Sequence, residues 1–554
     1  MERAKRILMI GLDGVPFDLI QRWAAGGHLP NLQRLIDTGI SGNLASTIPP
    51  TSGPSWSSFV TGMNPGKTGV YDFLYRQEGT YRFPPVNASL RKGTTMWRYL
   101  SDAGYQVGVL NIPMSYPVEP VNGYMVSGWM TPYSASDYTY PPELGAELQR
   151  EIGDYRIYPT QTFSEHRRES FLRATYDLLE MRTRAALHLL QTRPWDVFLC
   201  VFFDTDRVLH QMWHYLDSDH PWRKDGEDRE PVVRDYFSQV DRSIGQLLNH
   251  ADDSTLVVVL SDHGMGRANN FIVLNNWLMD TGLLRLRRGP WARLKELMFR
   301  SGFSLRNVHQ LLDQLGFAGE AEYRLGYFTD HLLKLIFLSF LDVDWHGSRA
   351  YSFGRHLGSI YVNLKGREPC GAVEPGAEYE AVRDEIERLA YEFRDPRSGR
   401  KLIGQVLRRE EIYSGPYVDH APDLILRPAE PSDIFFGLAD FGHRKLVDTV
   451  YRYSGMHRDH GLLIMNGPGV RTGAQVEGAA IQDVAPTVLH TMGLPVPGDM
   501  DGRVLAAAFA DGYLDAFPVQ SMEAQDREVA PTAAYGEEGE REILERLKGL
   551  GYLG

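Results

Sequence analysis

The feature that most constrains this chain is a repeated arrangement. Short apolar runs rich in β-branched residues, three of them closing on a carboxylate or an imidazole, alternate with long helical patterns. Ile7-Leu8-Met9-Ile10-Gly11-Leu12 runs into Asp13, Val197 to Phe203 into Asp204 and Asp206, and Leu256 to Leu260 into Ser261-Asp262-His263. Further runs lie at Gln106 to Ile112 and Leu462 to Met465, and helical stretches at Arg168 to Gln191 and Val232 to Asn249. This is the pattern of a mostly parallel sheet covered on both faces. Ligands of such a sheet bind beyond the carboxyl ends of its strands, so the spacing predicts ligating groups gathered at one edge.

The same runs set the expected boundaries. An α/β core over residues 1–274 resumes at 346–510, and the intervening 275–345 reads as an inserted helical cap. Its character is basic and amphipathic, as in Trp291-Ala292-Arg293-Leu294-Lys295-Glu296-Leu297-Met298-Phe299. Within the second part of the core, 366–430 is rich in turns and charge around a helix, Glu378 to Phe393, and is expected to form a small subdomain. Residues 511–554 turn acidic and close in a helical pattern with opposite charges four apart, an expected partly ordered tail.

A chain of 554 residues exceeds the reach of a single small core, and a 43% apolar content is ordinary for a folded protein. Its formal charge of −13 argues against a nucleic acid duplex as partner. Cys200 and Cys370 are too few for a disulfide framework and are expected to be reduced thiols. The basic start, Met1 to Arg6, leads into too short an apolar run for a secretory signal. Leu332 to Leu341, broken by Lys334, falls far short of the ~20 residues that span a bilayer. The expectation is a cytoplasmic protein without a transmembrane segment, and no sequence mark indicates an oligomeric state.

Four motifs carry chemistry. Asp206-Arg207-Val208-Leu209-His210 spaces a carboxylate and an imidazole four apart, on one helix face at chelating distance, although a cap followed by a surface histidine uses the same spacing. The adjacent pair in Ser261-Asp262-His263-Gly264-Met265-Gly266, directly after a buried strand, is costly unless a cation gathers it. Ser454-Gly455-Met456-His457-Arg458-Asp459-His460-Gly461 offers a third source of imidazole. Pro49-Pro50-Thr51-Ser52-Gly53-Pro54-Ser55-Trp56 opens a helix with hydroxyls in its first turn, as simple caps or as groups placed where backbone donors favour an anion.

In their order and flanking residues these motifs resemble the alkaline phosphatase superfamily, and within it the type I phosphodiesterase and nucleotide pyrophosphatase branch. Asp13-Gly14, Ser52-Gly53-Pro54 and Val60-Thr61-Gly62-Met63-Asn64-Pro65-Gly66-Lys67-Thr68-Gly69 match the branch's opening elements, and the Asp206, Asp262 and His457 motifs its later ones. The resemblance implies a three-layer sandwich with a mostly parallel central sheet. It further implies one divalent cation on Asp206, His210 and His457 and a second on Asp13, Asp262 and His263 together with the Ser52 oxygen. Mixed Asp and His ligands suit Zn²⁺, with Mn²⁺ the alternative. Ser52 is the implied nucleophile and Thr51 its neighbouring rival. Two points depart from the branch: Ser55 stands where a side-chain amide donor to the phosphoryl oxygen is usual, and Thr68 replaces a histidine.

The implied reaction is hydrolysis of a phosphoric ester, small or lipid-like, through a phosphoserine at Ser52. Ser55 is expected near the substrate as a weaker donor, and Arg207, Lys67 and the Trp213-His214 pair are expected either there or as surface charge and helix packing. Rival readings are a phosphomonoesterase, a phosphonate or sulfate ester hydrolase, and a catalytically silent metal-binding interaction protein. Trp56 disfavours the sulfatase, whose motif requires arginine there.

Overall fold

The computed structural model describes the chain except residues 1, 160, 162, 224–225, 227, 305–306, 309–334, 438–440, 452, 525–534 and 550–554. A nine-stranded sheet runs through the centre. Its strands in chain order are β1 (Arg6–Leu12), β2 (Ile40–Ala45), β3 (Val107–Ile112), β4 (Gly123–Ser127), β5 (Thr139–Tyr140), β6 (Val197–Phe202), β7 (Thr255–Leu260), β18 (His460–Asn466) and β19 (Ala474–Ala480). Their spatial order is β19-β2-β18-β7-β1-β6-β3-β4-β5. The inner pairs of β1 with β6 and β7, and of β3 with β4 and β6, are parallel. The run at Leu462 to Met465 lies in β18, which is antiparallel to both β2 and β7.

Alternation along β1 shows why the sheet is covered twice. Ile7 and Met9 face one core, with Phe59, Val60, Leu100 and Leu489 from helices on that side. Leu8, Ile10 and Leu12 face the other, against Leu178 and Leu189 of the helix Arg168–Thr192 and Val240 and Leu247 of the helix Glu230–Leu248. Both faces are buried, so the strand reads as an unbroken apolar run rather than an alternating one. The in-phase parallel register, Leu12 beside Phe202 and Gly11 beside Leu260, brings Asp13, the start of the next helix at Asp204 and the Ser261-Asp262 turn to one edge.

A second unit follows β7. Strands β8 (Gly264–Arg267) and β17 (Gly455–Arg458) form an antiparallel ladder that ties the two halves of the chain together. β9 (Asn270–Val273), β11 (Gly354–His356), β15 (Asp433–Gly437) and β16 (Val447–Thr449) make a small mixed sheet. β10 (Ala350–Ser352), β12 (Gly358–Val362), β13 (Ile403–Arg408) and β14 (Leu424–Pro428) make an antiparallel one, packed with the helix Ala377–Glu392. This small sheet draws β10 and β12 from upstream of residue 366, where the charged segment begins.

Much of the expected cap, 309–334, lies outside the described residues. Its flanks divide in two. Trp277, Leu278, Leu283, Val343 and Trp345 are buried in the core of the second unit, whereas the helix Pro290–Arg300 exposes Trp291, Leu294 and Leu297. In the C-terminal segment the helix Glu537–Gly549 docks through fully buried Ile543 and Leu547. The Tyr535 hydroxyl donates to the Met130 carbonyl at 2.7 Å, and Arg546 donates to the Thr131 carbonyl at 2.9 Å while stacking on Tyr158. Among the described residues no helix is long and apolar enough to cross a membrane.

Candidate metal centre and nucleophile

Asp13 leaves the carboxyl end of β1 and is held from two sides. The Trp56 indole N–H donates to Oδ2 at 3.0 Å, and the Ser52 hydroxyl lies 3.3 Å from Oδ1. Gly14 follows in a left-handed conformation, φ 73°, and a Cβ there would stand 2.6 Å from Asp206 Oδ1, so both backbone and space require glycine. Asp206 and His210 share one face of the helix Asp204–Leu216, with Oδ1 and Nε2 3.3 Å apart. Asp204, two residues earlier and so on the opposite side of the helix, is instead buried against Arg182 at 2.6 Å. His457 comes from β17, its Nε2 3.5 Å from Asp206 Oδ1 and 2.9 Å from His210 Nε2.

The second group gathers around Ser52. His263 Nε2 lies 3.1 Å from Ser52 Oγ, 3.4 Å from Asp262 Oδ2 and 3.6 Å from Asp13 Oδ1. Each trio, Asp206 with His210 and His457, and Asp13 with Asp262 and His263, offers ligand atoms within 4.8 Å of one another. All six side chains are buried, and the imidazoles of His263 and His457 stack at 3.7 Å, which joins the two trios.

The hydrogen bonds fix the tautomers. Nδ1 of His210 donates to the Gly455 carbonyl at 2.7 Å, Nδ1 of His457 to Pro50 at 3.0 Å, and Nδ1 of His263 to Gly264 at 3.1 Å. Each ring therefore turns an unprotonated Nε2 inward, the arrangement that backbone carbonyls impose on metal-binding histidines. Two lone pairs 2.9 Å apart on His210 and His457 repel unless a cation lies between them. Electrostatics agree. Burial, then Asp262 and Asp206, push the Asp13 carboxyl well above its ordinary range, and burial with Asp206 pushes Asp262 up to about 8. Burial, reinforced by His263, pushes His457 down to about 3. Three buried carboxyl groups and three buried imidazoles form a donor set that fits two divalent cations.

Across this framework the family model for type I phosphodiesterase / nucleotide pyrophosphatase matches residues 7–457. The chain belongs to that family. Its fold is shared with phosphonoacetate hydrolase from Sinorhizobium meliloti 1021 in complex with phosphonoformate, at 15% identity and a TM-score of 0.52, over 87% of this chain and 94% of that one. Human ectonucleotide pyrophosphatase / phosphodiesterase 5 is similar at 12% identity and a TM-score of 0.46, over 88% and 95% of the two chains. GPI ethanolamine phosphate transferase 3 of Schizosaccharomyces pombe is 42% identical over 57 residues, 10% of this chain and 6% of that protein. Its Saccharomyces cerevisiae counterpart is 36% identical over 83 residues, 15% of this chain and 7% of its own length. The alignments thus span under a tenth of those transferases.

As a type I phosphodiesterase family member the chain opens a cleft onto Ser52, Asp13, Asp206 and His210, walled by Trp129, Phe203, Arg207 and Gln211. Ser52 is the first residue of the helix Ser52–Thr61, and Thr51 is its N-cap residue without a side-chain capping bond. Ser52 Oγ faces His263 and Asp13, whereas the buried Thr51 hydroxyl has no hydrogen-bond partner. Arg207 reaches the cleft, but its guanidinium is engaged by the Gln161 carbonyl at 2.8 Å. Two residues expected near the substrate are committed elsewhere. Ser55 bonds Ser46 at 2.7 Å and Thr47 at 3.0 Å, and Lys67 bonds the Asp499 carbonyl at 2.8 Å and Asp501 at 2.7 Å, because the turns around them supply nearer partners. His214 is buried with Nδ1 3.0 Å from Ser454 Oγ, which braces the helix Asp204–Leu216 against β17. Trp129, Phe203 and Gln211 escaped the sequence reading. Trp129 follows the carboxyl end of β4 and Phe203 that of β6, the position at which the carboxylates were sought.

Proposed function

We propose that this protein hydrolyses phosphoric diesters with Ser52 as nucleophile and two divalent cations, Zn²⁺ by preference and Mn²⁺ as the alternative. The reading is carried by one observation: Ser52 Oγ stands at a helix N-terminus in contact with His263 and Asp13 of the second trio, in a cleft that Asp206 and His210 of the first also line. Asp206, His210 and His457 would hold one cation, and Asp13, Asp262 and His263 the other. When bound, the pair supplies Lewis acidity that lowers the pKa of the Ser52 hydroxyl and neutralises charge on the departing oxygen.

The chain's own groups do the rest. The Ser52 oxygen forms the bond to phosphorus as the ester oxygen departs, and water then cleaves the phosphoserine, restoring the hydroxyl and releasing a phosphomonoester. Pro54 has no N–H, so Ser52 and Gly53 supply the first-turn N–H groups that would favour developing negative charge. Trp56 fixes Asp13, and Trp129 and Phe203 narrow the cleft against bulk water. A second reading is favoured by the local identity to the ethanolamine phosphate transferases: an alcohol in place of water would accept the phosphoryl group from Ser52.

Elemental analysis of the purified protein, with rates on bis-p-nitrophenyl phosphate and p-nitrophenyl phosphate, tests the proposal. Two equivalents of metal and diester turnover abolished by chelation are expected. Turnover that survives complete metal removal refutes it.

A further inference from the structure

One histidine near the site carries no mark in the sequence. His356 ends β11 with φ 79°, a left-handed conformation that a non-glycine residue adopts at a cost and that recurs at functional sites. It is 8% exposed, and its Nδ1 is buried without a hydrogen-bond partner. The ring stands 5.5 Å from that of His457, centroid to centroid, and is close enough to His263 and His210 to feel both. A buried imidazole nitrogen left unbonded is costly, so its retention beside a cluster of polar groups calls for a partner that arrives with a ligand.

The backbone aims this ring. β11 is held antiparallel to β15, His356 opposite Phe435. At its other end Gly354, φ 134°, lies so that a Cβ would come 3.3 Å from Asp72 Oδ2, and the Asp72 carbonyl in turn would lie 3.1 Å from a Cβ on Gly53, the residue after Ser52. β11 therefore packs against the segment that backs the nucleophile, with His356 on the His457 side. The hydroxyl best placed by sequence to act as a side-chain donor, that of Ser55, is spent on Ser46 and Thr47.

We propose that His356 is a substrate-contacting residue, whose unpartnered Nδ1 donates a hydrogen bond to a non-bridging phosphoryl oxygen of the ester bound at Ser52. This rests on the phosphodiesterase reading above. The strained backbone conformation is what turns the ring toward His457, and the site's anionic ligand completes its hydrogen bonding.

The test uses the metal-loaded full chain and the variants H356G, H356N and H356D, with inorganic phosphate as the probe ligand. Glycine relieves the left-handed strain and deletes the donor, asparagine tolerates the conformation and can donate, and aspartate tolerates it but cannot. For H356G and H356D we expect kcat/KM on bis-p-nitrophenyl phosphate to fall about 10²-fold, the scale of losing one such donor, with metal content unchanged. Inhibition by phosphate should weaken in parallel, and H356N should recover part of both. Should H356G fail to fold, the H356N and H356D pair still decides the matter. Equal rates in H356N and H356D, full activity in H356G, or loss of metal from the variants overturns the proposal. A wild-type protein without diester turnover instead overturns the reading on which it rests.

Discussion

The two trios and the outer parts of the molecule around the cleft are held in different ways. Every ring in the trios is pinned by a backbone carbonyl, two of these in the β8–β17 ladder, and Asp13 by an indole, so the inner groups are held by regular elements on several sides. The walls have two origins: Phe203, Arg207 and Gln211 come from the helix that carries Asp206 and His210 or from its cap, and Trp129 comes from a loop. Trp129 stands in a turn whose neighbours Met130 and Thr131 are braced by Tyr535 and Arg546, more than 400 residues away in sequence. Farther out, seven of the ten exposed large hydrophobic side chains among the described residues fall between Trp291 and Leu341. The difference teaches that the ligating groups sit where regular elements meet, while the exposed apolar surface gathers in the segment between Trp291 and Leu341.

The sharpest way to break this division is at the nucleophile. S52A should lower kcat on a diester by at least about 10³-fold, as removal of a covalent nucleophile does, while T51A should cost far less. Both variants should keep their metal. If T51A is the dead variant, the Thr51 hydroxyl, buried and unbonded here, is the group that attacks.

Next in size is the support of Asp13. Trp56 is buried, and its only polar atom donates to Asp13 Oδ2 at 3.0 Å. W56F should weaken metal affinity by about 10–100-fold, the usual effect of removing a group that orients a ligand. Competition with a chromophoric chelator measures it. Unchanged affinity would mean that the sheet alone holds Asp13 in place.

How far the sequence reveals this inner region follows from burial. β1, β3, β6 and β7, covered on both faces, read as continuous apolar runs, and their observed ends fall within a residue of the expected ones. β2 and β19 left no such trace. Ile40–Ala45 and Ala474–Ala480 carry glycine, alanine and exposed polar residues because they lie toward one margin of the sheet. The converging carboxylates were legible because each follows a run directly. Trp129 and His356 were not, since their places depend on a turn and on a small sheet whose pairing no local pattern announces.

A smaller effect should come from pH. Asp262 must lose its proton to act as a ligand, and burial raises its pKa from 3.8 to about 8. Metal affinity should therefore climb between about pH 6 and pH 8, by no more than about tenfold per unit from this group, and level off above. In the metal-free protein the sign reverses. A carboxyl with a raised pKa binds more protons folded than unfolded between 3.8 and about 8, so its contribution makes stability fall as pH rises across that window. Melting temperatures with and without chelator, taken at several pH values, should diverge toward high pH. Parallel curves would remove Asp262 from the metal site.

The smallest effect is expected at the outer region, and it separates substrate choice from chemistry. Deleting 275–345 whole is too blunt a test, because Trp277, Leu283 and Val343 belong to the core of the second unit. Leu294 and Leu297 are 44% and 65% exposed on the helix Pro290–Arg300, beside exposed Arg293. Replacing both with serine should change stability by only about 0.5 kcal/mol, as surface substitutions do. Turnover of bis-p-nitrophenyl phosphate should be unaltered. If the apolar face helps to bring in esters with hydrocarbon chains, the double variant should lose a few-fold in kcat/KM on a short-chain phospholipid and nothing on the chromogenic diester. Equal losses on both would tie this helix to the geometry of the site, and no loss on either would leave the apolar face without a part in substrate choice.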